Sequence, residues 1–365
     1  MFGDLTYPRR TWTENGVRHI EIGIPGESRR GVLTPEALCA LKDGDGAEYA
    51  QLMAQAVCEG SWERLRQLPP PDRDLTTEPL REASFLIPRG DSPIPVTAYC
   101  LEERWKTMKP AVVYFHGGGF RMGSRRSVEN SMRLLAQLSG AVVFSVEYRL
   151  APEYRFPCAT EDAWQALRWL YRHGAEFSAD KTRFAVSGDS AGGNLAAACA
   201  RRDRNMRTGI VHWQLLIYPV LCQTEPDLTD YHFSLEDYEI DKTQKKWIVS
   251  CITSMKNAVA GTRLYTGSVE EDRSADASPL LDTNFARLPR TVIFCAEFDY
   301  LTRQAETYAH RLAKAGVDVT LVCCRGMHHG FMNRLGQYPQ ATALHQEIAA
   351  IIREDKTGES QDKQE

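Results

Sequence analysis

Two glycine-rich strings in this 365-residue chain hold the residue types that acyl-transfer chemistry requires. Gly188-Asp189-Ser190-Ala191-Gly192 is a G-x-S-x-G string set between the apolar run Phe184–Ser187 and the alanine-rich stretch Asn194–Ala200. A serine at such a strand-to-helix turn is lifted above the sheet edge, because glycines on both sides permit the sharp bend. The N–H of Ala191, at the start of the following helix, then points to where an oxyanion would develop. Upstream, Val112–Phe115 runs into His116-Gly117-Gly118-Gly119-Phe120, a loop leaving a strand's C-terminal end. A backbone without side chains lets a carbonyl oxygen approach several amides, and one lost donor costs roughly 3 kcal/mol of transition-state stabilisation. A phosphate cradle fits less well, since no Gly-Lys-Ser/Thr follows and no acidic residue stands where a dinucleotide fold wants one.

A serine hydroxyl needs a base, and the base needs an orienting acid. His329 follows the apolar run Val319–Cys323 in the loop Arg325–Phe331, with His328 beside it as a rival. Asp299 follows Thr291–Ala296, with Glu297 as its competitor. The chain order Ser, Asp, His is the one used with this type of turn. Chymotrypsin-like proteases carry a similar GDSGG string, but their fold is all-β and their order is His, Asp, Ser. The pairs Cys323-Cys324 and His328-His329 suggest zinc, yet adjacent strand residues point to opposite faces, so no metal is assigned.

These residues need elements to position them. From Phe85 to Ile351 short β-branched runs alternate with amphipathic stretches, the pattern of a mostly parallel sheet covered on both faces. Strands are expected at Ser84–Ile87, Pro95–Leu101, Ala111–Phe115, Ala141–Val146, Arg183–Ser187, Gln214–Tyr218, Thr291–Ala296 and Val319–Cys323. Helices are expected at Glu161–His173 and Thr302–Ala315, the second stopped by Gly316. Residues 1–76 and 223–275 depart from the alternation. The expected organisation is an N-terminal cap region and connector (1–76), a first core segment (77–222), inserted cap helices (223–275), a second core segment (276–355) and a polar tail (356–365). Leu68-Pro69-Pro70-Pro71 reads as a stiff connector.

Composition narrows the function classes. With 43% hydrophobic and 25% charged residues the chain is an ordinary globular protein. A net charge of −4 offers no field for a phosphate backbone, so no nucleic-acid partner is expected. No apolar run approaches the roughly 20 residues that span a bilayer, and Met1–Arg10 lacks an export segment. No membrane association and a cytoplasmic location are the expectations, with the ten cysteines reduced.

The chain resembles the bacterial hormone-sensitive-lipase-like branch of the α/β-hydrolases over about its last three quarters. The resemblance is carried by His116–Phe120 with Gly123, Tyr148–Glu153 with Phe156-Pro157, Gly188–Ala196, Ser278-Pro279-Leu280, Ala296–Asp299 and His329-Gly330-Phe331. It implies an α/β-hydrolase fold, a mostly parallel eight-stranded sheet flanked by helices with a helical cap. It implies a carboxylesterase with Ser190 as nucleophile, His329 as general base and acid, Asp299 orienting it, and Gly118, Gly119 and Ala191 as oxyanion hole. The substrate is then a small ester of short-to-medium acyl length, no cofactor is required, and a homodimer is an assembly common in the family. An amide, carbamate or lactone would suit the same mechanism, and a non-catalytic receptor on this scaffold would lack the histidine. Departures from the family pattern are Glu147 where aspartate is common, Tyr154 for histidine and Tyr300 for proline. Trp62, Tyr231, Phe233 and Trp247 either line a pocket or pack the cap internally; substrate-binding residues are left unassigned.

Overall fold

The β-branched and aromatic runs form one ten-stranded sheet in the computed structural model of the chain, which describes residues 7–44, 47–68, 72–90, 92–260 and 264–354. The eight expected strands are all there, most of them longer than the apolar runs: β3 (Leu80–Ile87), β4 (Ile94–Leu101), β5 (Lys109–Phe115), β6 (Val142–Val146), β7 (Ala179–Asp189), β8 (Trp213–Ile217), β9 (Arg290–Phe298) and β10 (Val319–His328). Two further strands, β1 (Arg9–Glu14) and β2 (Val17–Ile22), precede them. The spatial order is β1-β2-β10-β9-β8-β7-β5-β6-β4-β3. From β2 through β6 all pairings are parallel, while β1, β4 and β3 join their neighbours antiparallel.

The hairpin β1–β2 corrects the reading of residues 1–76 as cap and connector alone, and raises the sheet from eight strands to ten. Its turn is Asn15-Gly16, both at positive φ (49° and 79°), the conformation a two-residue hairpin loop demands. Val17, Ile20 and Ile22 are buried, and β2 pairs with β10 from Thr320↔Arg18 to Cys324↔Ile22. Burial of that apolar set outweighs the charged residues between them.

Side chains alternate across the sheet and feed a core on each face. Val113 and Phe115 of β5 pack with Leu167, Leu195, Tyr308 and Leu312, from the helices Cys158–His173, Ala191–Met206 and Leu301–Lys314. Val112 and Tyr114 face the other way, toward Met132, Leu135, Leu344 and Ile348 of the helices Glu129–Ser139 and Pro339–Glu354. Because β5, β7, β8, β9 and β10 run parallel, the segments leaving their C-terminal ends gather along one edge, where open α/β sheets place their ligands.

The two irregular regions supply the remaining pieces. The first carries the helices Pro35–Lys42, Ala47–Glu59 and Glu63–Arg66. The insertion between β8 and β9 holds the helix Lys245–Ala260 and the short Val269–Asp272, while residues 223–244 are mostly irregular apart from the 3₁₀ turn Leu235–Asp237. The prolines 69–71 of the expected connector and the polar tail 356–365 lie outside the described residues. Among the described residues no helix is long and apolar enough to cross a membrane.

Candidate active site

Ser190 stands between the end of β7 and the helix Ala191–Met206, at φ 55° and ψ −114°. A non-glycine residue keeps such a conformation only when its surroundings over-determine it. Here the Ser190 N–H donates to the Ile217 carbonyl at 2.9 Å, and the Ser190 carbonyl accepts from Val220 at 3.1 Å and Asn194 at 3.2 Å. The Asn194 side chain in turn donates to the Val220 and Ala277 carbonyls at 2.8 and 2.7 Å. Gly192 has no alternative, because a Cβ there would lie 1.9 Å from the Phe115 carbonyl oxygen. The elbow is therefore pressed against the base of the glycine-rich loop.

That loop, His116–Phe120, leaves β5 with Gly118, Gly119 and Phe120 all at positive φ (120°, 60° and 62°). Backbone bonds from Arg121 and Met122 to the Gly118 carbonyl, 3.1 and 3.0 Å, close it into a turn. The segment after β6 braces it: the Tyr148 hydroxyl donates to the His116 carbonyl at 2.6 Å, and the Ala151 N–H donates to the Phe120 carbonyl at 2.8 Å. Glu147 accepts from the Arg125 N–H at 2.9 Å, so this departure from the family pattern still holds the loop's far side. Tyr154 is half exposed and lies beneath the Arg149 guanidinium.

His329 and Asp299 come from the ends of β10 and β9. His329 Nε2 is 2.9 Å from Ser190 Oγ, and its Nδ1 is 2.6 Å from Asp299 Oδ2. Asp299 is fully buried; its other oxygen accepts from the Leu301 N–H at 3.0 Å, and its carbonyl accepts from the Tyr238 hydroxyl at 3.0 Å. Burial by itself pushes the imidazole pKa down. The charge and hydrogen bond of Asp299, with the charge of Asp189, outweigh that and leave His329 above the ordinary histidine value. With a base on the hydroxyl and a carboxylate on the base, the arrangement can deprotonate Ser190 as it attacks a carbonyl carbon.

The rivals are elsewhere. Glu297 accepts from the Gly326 N–H at 2.7 Å, tying β9 to the end of β10 before His329, and burial raises its pKa. His328 turns away, its Nδ1 3.0 Å from the His329 carbonyl and its ring edge-on to Tyr338. Among the described residues no three His, Cys, Asp or Glu side chains are grouped to hold a metal ion. Of the candidate pocket residues, Trp62 is buried with Leu52, Leu65 and Met122, and Phe233 packs edge-on to Tyr300. Tyr218, which sequence reasoning missed, sets its ring against His329 with centroids 4.7 Å apart. Its signal was its place directly after β8 at the same sheet edge, as for Asp189 at the end of β7.

A parallel sheet with a strained serine elbow and histidine and aspartate loops at one edge defines an α/β-hydrolase. A family model described as alpha/beta hydrolase fold matches residues 112–333, and the chain belongs to that family, in its hormone-sensitive-lipase-like branch. Esterase LipI of Mycobacterium tuberculosis is 36% identical over 287 residues, 77% of this chain and 83% of the relative. Carboxylesterase NlhH of the same species is 33% identical over 301 residues, 80% of this chain and 87% of the relative. Among solved structures, a hyperthermophilic esterase from Pyrobaculum calidifontis superposes with a TM-score of 0.64 at 35% identity, covering 76% of this chain and 85% of that one.

Proposed function

We propose that this carboxylic-ester hydrolase cleaves short-to-medium acyl esters through an acyl-enzyme on Ser190, with His329 as general base and acid and Asp299 as its orienting partner. The observation that carries the reading is the unbroken chain from Asp299 Oδ2 through His329, 2.6 Å at one nitrogen and 2.9 Å to Ser190 Oγ at the other. Ser190 Oγ attacks the ester carbonyl while His329 takes its proton, and the N–H groups of Gly118, Gly119 and Ala191 receive the tetrahedral oxyanion. The imidazolium then protonates the leaving alcohol. A water, deprotonated by the same nitrogen, attacks the acyl-enzyme and releases the acid. A receptor that only binds its ligand has no use for a base held against the serine.

Short acyl chains are favoured because the exposed large apolar residues among the described ones, Val57, Leu86, Met108, Tyr154, Met206 and Val269, come from separate segments of the chain and share no element that would lie on a lipid surface. The cysteines are free thiols, which suits a reducing compartment, and a cytoplasmic place of action belongs to the same reading. A homodimer is the assembly the family resemblance implies, tested by light scattering on the purified protein.

The test is an acyl chain-length series of nitrophenyl esters with anilide and lactone comparators, run on wild type and Ser190→Ala. Turnover of the short esters should dominate and disappear in the variant. Faster turnover of the anilide or lactone would move the substrate class, and undiminished hydrolysis by Ser190→Ala would refute the mechanism.

A further inference from the structure

Directly before the serine, Asp189 is a buried carboxylate that the mechanism above does not use. Its Oδ1 accepts one hydrogen bond from β5, the Tyr114 hydroxyl at 2.8 Å, and one from the loop that leaves it, the Gly117 N–H at 2.7 Å. Gly117 is the residue through which β5 turns into the glycine-rich loop, and β5 and β7 lie side by side with Phe115 opposite Gly188. The fit is close. A Cβ on Gly117 would lie 2.3 Å from Asp189 Oδ2, so the first glycine of the loop is required by the carboxylate beside it. Elsewhere the loop is held at its carbonyls, those of His116, Gly117, Gly118 and Phe120, the Gly117 carbonyl lying 2.8 Å from the His116 ring Nδ1. Asp189 instead fixes an amide, the one immediately before the Gly118 and Gly119 amides.

We propose that Asp189 is a positioning residue for the oxyanion hole: by anchoring the Gly117 amide it sets the direction in which the next two amides of the loop point. Ser190 and Asp189 are consecutive, so one backbone turn carries the nucleophile and fixes the loop that must receive the oxyanion. A small rotation about Gly117 would turn two donors away, and donors of this kind act only when their geometry is preset. This inference rests on the proposed role of Ser190 and extends it.

The test compares Asp189→Asn, which keeps an acceptor oxygen, with Asp189→Ala, which removes it, and with Gly117→Ala, which displaces the carboxylate. For each folded variant, kcat and KM for a short nitrophenyl ester and the affinity of a trifluoromethyl ketone are measured. The ketone reports oxyanion stabilisation because Ser190 adds to it to form a bound hemiketal oxyanion. Asp189→Ala and Gly117→Ala should lose about a hundredfold in kcat and a similar factor in ketone affinity, with KM within about threefold, while Asp189→Asn stays within about tenfold of wild type. Should Asp189→Ala not fold, Asp189→Asn and Gly117→Ala carry the comparison. Near-wild-type kcat and ketone affinity in Asp189→Ala or Gly117→Ala would overturn the proposal, as would equal damage in Asp189→Asn and Asp189→Ala. Ser190→Ala separates the two claims: if it is dead while Asp189→Ala is active, only the role of Asp189 falls, and if it is active both fall.

Discussion

His329 lies between two opposing influences, and the balance between them sets how the proposed reaction responds to pH. Burial disfavours the imidazolium, whereas the carboxylate of Asp299 and the charge of Asp189 favour it, and the carboxylates win. The histidine must be neutral to accept the serine proton. Activity should therefore rise with pH through an apparent pKa above 6.5, and kcat/KM should fall about tenfold per unit on the acid side. Asp299→Asn removes the dominant raising influence, so the acid limb should move to lower pH while the plateau drops; an unmoved limb would show that Asp299 does not control the base. His329→Ala should cost at least about a thousandfold in kcat, whereas His328→Ala should stay within about tenfold, because His328 turns its ring to Tyr338. The reverse pattern would assign the base to His328. Ser190 was legible at this scale because its flanking glycines and neighbouring strand are local features. The choice between Asp299 and Glu297 was not. Both lie at the C-terminal end of β9, and only its register with β10 decides that one reaches His329 and the other the Gly326 amide.

Seven of the eight expected strands are buried over most of their length and are written largely in apolar, β-branched and aromatic residues, whereas the half-exposed edge strand β3 showed only as its apolar end Ser84–Ile87. The hairpin β1–β2 escaped that pattern, being half exposed and rich in Arg and Glu. Its one strong local signal was Asn15-Gly16, the dipeptide that favours a tight hairpin turn. Pairing of β2 with β10 makes the hairpin part of the core, so Ile20→Ala should lower unfolding stability by about 2–5 kcal/mol, read from denaturant midpoints at constant m. A change below about 0.5 kcal/mol would mean that the hairpin is only loosely attached. The helix Pro339–Glu354 carries a second measurable element property. Burial pushes His345 down to about 4, against the raising effect of its bond to the Ala341 carbonyl. The folded chain keeps this ring neutral while the unfolded chain protonates it, so stability is full above pH 6.5 and is lost as pH falls toward 4. That loss amounts to about 3 kcal/mol. His345→Leu should flatten the fall in Tm over this interval, and an unchanged slope would assign the acid sensitivity to other groups.

Over the whole molecule, the N-terminal helices and the sheet meet at the glycine-rich loop. Met122 packs into the small cluster of Leu52, Ala56, Trp62 and Leu65. Arg66 donates to the carbonyls of Arg121 and Ala151, both at 2.9 Å, and pairs with Glu153 at 2.7 Å. We propose that these contacts latch the N-terminal helices over the site. Arg66→Ala should then raise KM about tenfold with kcat within about threefold, since it loosens closure without touching the reacting atoms. A fall in kcat with KM unchanged would instead place Arg66 in support of the oxyanion hole. That two regions break the strand–helix alternation was readable from periodicity. The meeting of the first region with the end of the glycine-rich loop, at Met122 and Arg66, was not, because it joins residues far apart in the chain through contacts no local pattern encodes. The proposed base, its carboxylate and the oxyanion donors all serve one atom, Ser190 Oγ, as the proposed acyl acceptor. The most direct measurement is intact-protein and peptide mass spectrometry after reaction with a fluorophosphonate, whose phosphorus is attacked by the activated serine with loss of fluoride. One adduct per chain is expected, on Ser190, absent from Ser190→Ala and nearly absent from His329→Ala. An adduct on another residue, or one that persists in Ser190→Ala together with activity, would contradict that role of Ser190.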